Sequence, residues 1–133
     1  MATRNRKRGA CSCGQTDRPA ATKPDPIQQA ANKRLPKLPK SVGTTLGPVL
    51  VREIPDLRDE KNEPIFGRWR PEEREIHVCE MPSMAARWIT FYHERVHQVL
   101  EDAGAKPSDE ADEERICDAI GTALVVDMLR GRK

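Results

Sequence analysis

The sequence has few aromatic residues and no long apolar run. Phe, Trp and Tyr together make up 4% of its 133 residues, so any core must be small. The longest candidate stretch, Ala123 to Val126, is far shorter than the ~20 residues that cross a membrane as a helix. The basic start of the chain is not followed by the apolar segment of a secretory signal. These absences predict a cytoplasmic protein that makes no membrane contact.

The four cysteines do not have the spacing of a disulfide framework. Cys11 and Cys13 lie near the start of the chain, whereas Cys79 and Cys117 fall inside predicted secondary structure. We expect the latter two to be small buried residues. Cys11-x-Cys13 lacks the second cysteine pair of a specific zinc site, which favours free thiols. A reducing compartment fits this distribution.

Charge divides the chain into two parts. Residues 1–40 carry ten Lys or Arg and two Asp, a net charge of +8, whereas the remaining residues have a net charge of −6. The first part is rich in Arg, Lys, Pro, Ala and Gln and has almost no large apolar residues, so it cannot offset its ordering entropy by burial. We therefore predict a disordered basic arm and linker over residues 1–42 and one folded domain over residues 43–133.

The domain has the pattern of a small α+β fold. Pro48–Ile54, Ile65–Arg70 and Glu75–Cys79 read as strands separated by turn residues, and together they predict a small antiparallel three-stranded sheet. Ser83 is a suitable N-cap for a helix over Met84–Asp102, whose apolar residues recur at helical spacing. A second helix is predicted from after Ser108 to Arg130.

The first predicted helix contains the motif His93-Glu94-Arg95-Val96-His97, which fits H-E-x-x-H. Residues four apart lie on the same helical face, so both imidazoles can bind one Zn²⁺ ion. Glu94 is rotated by about 100° and is placed to act on a water at the metal. This pattern predicts His93 and His97 as metal ligands and Glu94 as a catalytic general base.

A catalytic zinc site needs a third protein ligand, and the acidic start of the second helix supplies candidates. Glu110, Glu113 and Glu114 all follow the motif closely. Glu114 is favoured because its helical stripe contains Cys117 and Gly121, small residues that would let the two helices approach. Glu113 and Glu110 remain alternatives, since an acidic first turn also suits the helix dipole.

These residues resemble the gluzincin metallopeptidases, and more closely the minimal HExxH proteins of phages and bacteria of the ImmA/IrrE type. The resemblance spans roughly residues 48–130 and rests on the HExxH helix and on Glu114 opening the next helix, with Asp118 four residues later. It implies a zincin-like site in which Zn²⁺ is bound by His93, His97 and Glu114, and Asp118 holds a ligand imidazole. It also implies the cytoplasm of a bacterium or of a phage-infected host. An edge strand, for which Glu75–Cys79 is a candidate, would hold an extended substrate by main-chain pairing.

The sequence therefore predicts a zinc-dependent peptidase that hydrolyses a specific protein substrate. The alternative is a non-catalytic, zinc-stabilised interaction module whose basic arm contacts nucleic acid or a protein partner. The arm lacks the aromatic residues used for base stacking, so any nucleic-acid contact should be weak. His77 on the third strand is a further candidate for binding substrate or an oxyanion, although a lone strand histidine is more often an ordinary surface or core residue.

Overall fold

The computed structural model describes residues 35–131 and the backbone of residues 5–7. Within them the chain forms five strands and then two helices. The strands are β1 (Asn5–Lys7), β2 (Ser41–Val42), β3 (Val49–Ile54), β4 (Ile65–Arg70) and β5 (Glu75–Cys79), and the helices are α1 (Met84–Asp102) and α2 (Glu110–Gly131). The predicted α+β class is confirmed. Neither helix in the described part of the chain is apolar enough over a sufficient length to cross a bilayer.

The five strands form one mixed sheet in the order β1-β4-β5-β3-β2. The predicted three-stranded antiparallel sheet is wrong on this point, because β3 and β5 are parallel neighbours. A tight turn at residues 71–74 folds β5 back antiparallel onto β4, with Arg74 in the left-handed conformation at φ 51°. The long connection over residues 55–64 leads from β3 to β4 and leaves a space between these two strands, which β5 then occupies. As a result, β5 runs antiparallel to β4 and parallel to β3.

This topology makes β5 a central strand. It pairs with β3 on one side and β4 on the other, and its residues from Ile76 to Cys79 are all buried. The prediction that Glu75–Cys79 is a substrate-binding edge strand is therefore wrong. The outer edge of β4 is instead paired with the backbone of β1, antiparallel and with an irregular register.

The folded domain begins before residue 43. Leu35 and Leu38 are both buried in the core, and the indole nitrogen of Trp88 donates a hydrogen bond to the carbonyl of Pro36 over 2.8 Å. Ser41–Val42 pairs with β3 as a short edge strand. Residues 35–42 were predicted to belong to the arm, but they pack on the domain because two leucines among the prolines supply apolar surface. Apart from the backbone of residues 5–7, the rest of the predicted arm lies outside the described residues.

Helix α1 lies between the sheet and α2. Its N-terminus is capped as predicted, since the Ser83 hydroxyl accepts a hydrogen bond from the Ala86 amide over 3.1 Å. Its apolar side chains, among them Trp88 and Phe91, complete the core with inward residues of the sheet. Its other buried residues are polar, and they are Thr90, His93, Glu94, His97 and Gln98. A helix that buries this many polar groups requires partners for them.

Candidate metal centre

The HExxH segment of α1 is buried. His93 and Glu94 have 0% of their surface exposed and His97 has 4%. Because the two histidines are one turn apart, their rings lie edge to face, and their Nε2 atoms are 3.1 Å from each other. Two imidazole nitrogens thus meet at one point inside the protein.

Helix α2 brings a carboxylate to the same point. Glu114 Oε2 lies 2.9 Å from His93 Nε2, and Glu114 Oε1 lies 3.2 Å from His97 Nε2. The two helices can approach because Gly121 of α2 faces α1. A Cβ atom at Gly121 would lie 3.1 Å from the backbone nitrogen of His93 and 3.1 Å from the backbone oxygen of Ile89. The buried residues that follow on the same stripe of α2 are Cys117, Gly121 and Val125. Glu110, Glu113 and Glu114 are the candidates for the third ligand, and Glu114 is the one whose carboxylate reaches both imidazoles.

The other two glutamates have different positions. Glu113 is 1% exposed and its Oε2 lies 2.5 Å from Nδ1 of His97, which is the nitrogen that faces away from the meeting point. Glu110 is exposed in the first turn of α2. Asp118, predicted to hold a ligand imidazole, has its Oδ1 2.8 Å from His93 Nδ1. The sequence pattern missed the contact between Glu113 and His97, because helical spacing alone does not say which ring nitrogen a carboxylate reaches.

These contacts fix the chemistry of the two rings. When each Nδ1 donates its proton to its carboxylate, each Nε2 presents a lone pair to the meeting point. Two lone pairs and the Glu114 carboxylate then converge there. These electron-rich groups repel one another unless a cation lies among them. In the absence of a metal, a proton on an imidazole serves this purpose.

The electrostatics agree with that view. Burial lowers the pKa of His97, but hydrogen bonds with Cys117 and Glu114, and then the charge of Glu94, outweigh burial and raise the pKa to about 11. Burial also raises the pKa of Glu114, yet hydrogen bonds with both imidazoles dominate and hold the pKa of this carboxyl far below its usual range. Without a metal, the centre therefore favours a protonated His97 paired with the ionised Glu114 carboxylate.

The donor set fits Zn²⁺. Ligand atoms bound to one tetrahedral zinc at ~2.0 to 2.1 Å lie about 3.3 Å apart. The three distances among His93 Nε2, His97 Nε2 and the Glu114 oxygens are 2.9, 3.1 and 3.2 Å. The two imidazole nitrogens are thus spaced close to what a tetrahedral ion requires, and the Glu114 carboxylate directs one oxygen to each of them.

A thiol lies beside the two imidazoles. The ligand atoms of His93, His97 and Cys117 all lie within 4.8 Å of one another, and Cys117 is 0% exposed. Burial raises the pKa of the Cys117 thiol. The burial of Cys117 is confirmed, whereas its position beside His93 and His97 was not predicted. The sequence does indicate this position, since Cys117 and Glu114 are three residues apart and lie on the same face of α2.

Glu94 lies between α1 and the sheet. Strand β4 passes Glu94 at Gly67. A Cβ at Gly67 would lie 3.5 Å from Glu94 Cγ and 2.6 Å from Thr90 Cγ2. The charge of Glu94 is one of the causes that raise the pKa of His97. Glu94 is thus buried one residue along α1 from His93, on the side of the helix that faces β4.

The remaining sequence candidates lie elsewhere. His77 is buried on β5, where its Nε2 is 2.9 Å from Glu75 Oε1 and its Nδ1 accepts a hydrogen bond from Arg68 over 3.5 Å. Burial lowers the pKa of His77. These contacts describe a strand histidine held by its neighbours in the sheet. Cys11 and Cys13 lie outside the described residues.

Comparison with known proteins finds no family profile, no curated sequence and no solved structure that matches this chain.

Proposed function

We propose that this chain is a zinc-dependent hydrolase that cleaves peptide bonds. The observation that carries the proposal is the convergence of His93 Nε2, His97 Nε2 and the Glu114 carboxylate, with both outer ring nitrogens held by carboxylates. Three protein ligands of the type His, His and Glu are typical of hydrolytic zinc sites, which keep a fourth position for water or substrate.

Each residue would have a distinct role. Bound zinc would supply a Lewis acid that polarises the scissile carbonyl and activates water. Glu94 would accept the proton of the attacking water and deliver it to the leaving amine. Asp118 and Glu113 would keep the two imidazoles in the tautomer and orientation that present Nε2.

The sheet supports an extended peptide as the substrate. Strand β4 passes over Glu94 at Gly67, and the outer edge of β4 accepts a strand by main-chain pairing, as its pairing with Asn5–Lys7 illustrates. A peptide would bind at that edge by displacing Asn5–Lys7 from β4, the strand that passes Glu94 at Gly67. Main-chain pairing recognises the backbone, so side-chain preference would come from neighbouring residues.

The test is metal analysis and peptide hydrolysis with the full chain and three variants. Wild type and Glu94→Gln should each hold about one zinc, whereas hydrolysis of a quenched-fluorescence peptide library should fall at least ~100-fold in Glu94→Gln. Glu114→Ala should lose most of the zinc. Glu110→Ala is the matched control, because it removes an exposed acid one turn before Glu114 on the same helix and should keep both zinc and activity. A wild-type chain that binds no zinc, or Glu94→Gln with full activity, would refute the proposal.

A second candidate, a non-catalytic zinc-stabilised module, is favoured by one observation. The Cys117 thiol lies where a fourth ligand could close the coordination sphere, and structural zinc sites are closed in this way. The same experiment separates the two functions. A structural site predicts bound zinc in wild type with no hydrolysis of any peptide, and Glu94→Gln then differs from wild type in neither property.

A further inference from the structure

Cys117 has surroundings that differ from those of the other buried cysteine. Cys79 is also buried, at 1% exposure, but it belongs to the apolar core and its sulfur has the Glu80 carbonyl 3.9 Å away. Cys117 lies instead beside two imidazoles, with its sulfur within 4.8 Å of a ring nitrogen of both His93 and His97. Burial alone therefore does not account for where the Cys117 sulfur lies.

The position of Cys117 on α2 follows from the same geometry that places Glu114. The two residues are three apart, so they lie on one face of the helix and both point toward α1. Gly121, one turn further along, holds the α2 backbone close to His93. Close packing of the two helices thus holds the thiol beside the two imidazoles.

We propose that Cys117 Sγ is the fourth protein ligand of the metal centre in its resting state. This inference rests on the zinc site of the proposed function. The thiol would give up its proton to solvent on binding, since a coordinating thiol is deprotonated. His93, His97, Glu114 and Cys117 would then complete a tetrahedron, and the thiolate would have to leave before water or substrate could bind. The resting protein would be a closed form of the hydrolase, and a soft sulfur ligand would favour zinc over Mg²⁺ or Ca²⁺.

Substitution of zinc by Co²⁺ tests the proposal directly, because a thiolate bound to cobalt gives an intense charge-transfer band in the near ultraviolet. The thiols of the arm must first be removed, so the full chain carries Cys11→Ser and Cys13→Ser. Adding Cys79→Ala leaves Cys117 as the sole thiol. We expect the charge-transfer band in both chains, together with the visible bands of tetrahedral cobalt. In the first chain, Cys117→Ser should abolish the charge-transfer band and leave the visible bands.

The outcomes separate this inference from the proposed function. Visible cobalt bands without a charge-transfer band, in the chain whose sole thiol is Cys117, would overturn the thiolate ligand and leave the His, His and Glu site standing. Absence of both kinds of band in both chains, the first of which keeps the core residue Cys79, would overturn the metal centre itself. Because the decisive chain retains Cys117, the result does not depend on whether Cys117→Ser folds.

Discussion

His97 Nδ1 lies 2.5 Å from Glu113 Oε2, and Glu113 is only 1% exposed. A buried carboxylate beside an imidazole fixes the ring in one orientation and makes the opposite nitrogen a stronger electron-pair donor. His93 has an equivalent partner in Asp118, but the Asp118 side chain is 52% exposed. The two histidines are thus held by carboxylates in different surroundings, and this difference is measurable.

Glu113→Gln should lower the affinity for zinc by about 10- to 100-fold, because the amide keeps the shape of the side chain but removes its charge. Asp118→Asn should have a smaller effect, since water can replace part of an exposed hydrogen bond. Competition with a chelator of known affinity measures both. Asp112→Asn is the control, because Asp112 is on the same helix and pairs with Arg115 at the surface. Equal affinity in Glu113→Gln and Asp112→Asn would show that Glu113 does not support the metal.

Much of the geometry of the candidate centre could be predicted from sequence because it depends on helical spacing. His93 and His97 are four apart, and the stripe of Glu114, Cys117 and Gly121 contains the small residues that two close helices need. These are local properties of one helix each. The predicted ranges of both helices and of the last two strands agree closely with the structure for the same reason.

The predictions that proved wrong concern contacts between segments that are far apart in the sequence. The alternation of residues in Glu75–Cys79 predicts a strand, but it does not reveal that β3 joins β5 in parallel and makes it central. The composition of residues 35–42 indicates a linker, whereas Leu35 and Leu38 are buried because Trp88 and the sheet offer them a surface. Position along the chain gave no sign of either contact.

Gly121→Ala should destabilise the protein. The added Cβ would lie 3.1 Å from the His93 nitrogen and the Ile89 oxygen, and these backbone atoms cannot move away as a flexible side chain could. Overpacking costs about 1 to 3 kcal/mol, and the better helix propensity of alanine returns up to about 1 kcal/mol. We expect a net loss of about 1 to 2 kcal/mol in the free energy of unfolding by urea.

Gly131→Ala is the matched control for this substitution. It lies at the end of the same helix, where a Cβ would meet nothing within 4 Å. It should be neutral or slightly stabilising. If both alanine variants unfold at the same urea concentration, the close approach of α1 and α2 at Gly121 is not a constraint on the fold.

Removing zinc should lower the melting temperature of the wild-type chain. A ligand that binds only the folded state stabilises it by about 2.7 kcal/mol at 100 times its dissociation constant, which corresponds to roughly 10 to 20 °C for a domain of this size. Thermal melts with zinc and with excess chelator measure the shift. Glu110→Ala should keep the shift and Glu114→Ala should lose most of it. A shift that survives in Glu114→Ala would point to zinc bound elsewhere in the chain.

The stability of the metal-free protein should depend on pH through Asp102. Its carboxylate accepts two hydrogen bonds from Arg74, over 2.9 and 3.2 Å, which join the β4–β5 turn to the end of α1. The hydrogen bond from Arg74 is the main cause that lowers the pKa of Asp102 below its usual value of 3.8. A carboxyl whose pKa is lowered by folding stabilises the folded state above its unfolded pKa, and it loses that contribution as pH falls through the folded pKa.

Asp102→Asn should therefore destabilise the metal-free protein near pH 7 by about 1 to 2 kcal/mol, a range reduced by solvent screening because Arg74 is partly exposed. The difference from wild type should shrink as pH falls below about 4, where Asp102 of the unfolded chain takes up a proton, and it should be lost as pH falls through the lower pKa of the folded protein. Urea unfolding in chelator at several pH values measures both effects. Glu80→Gln, which changes an exposed acid at the end of β5, should show neither. A loss in Asp102→Asn that stays constant down to pH 3 would mean that shape, and not charge, links the turn to α1.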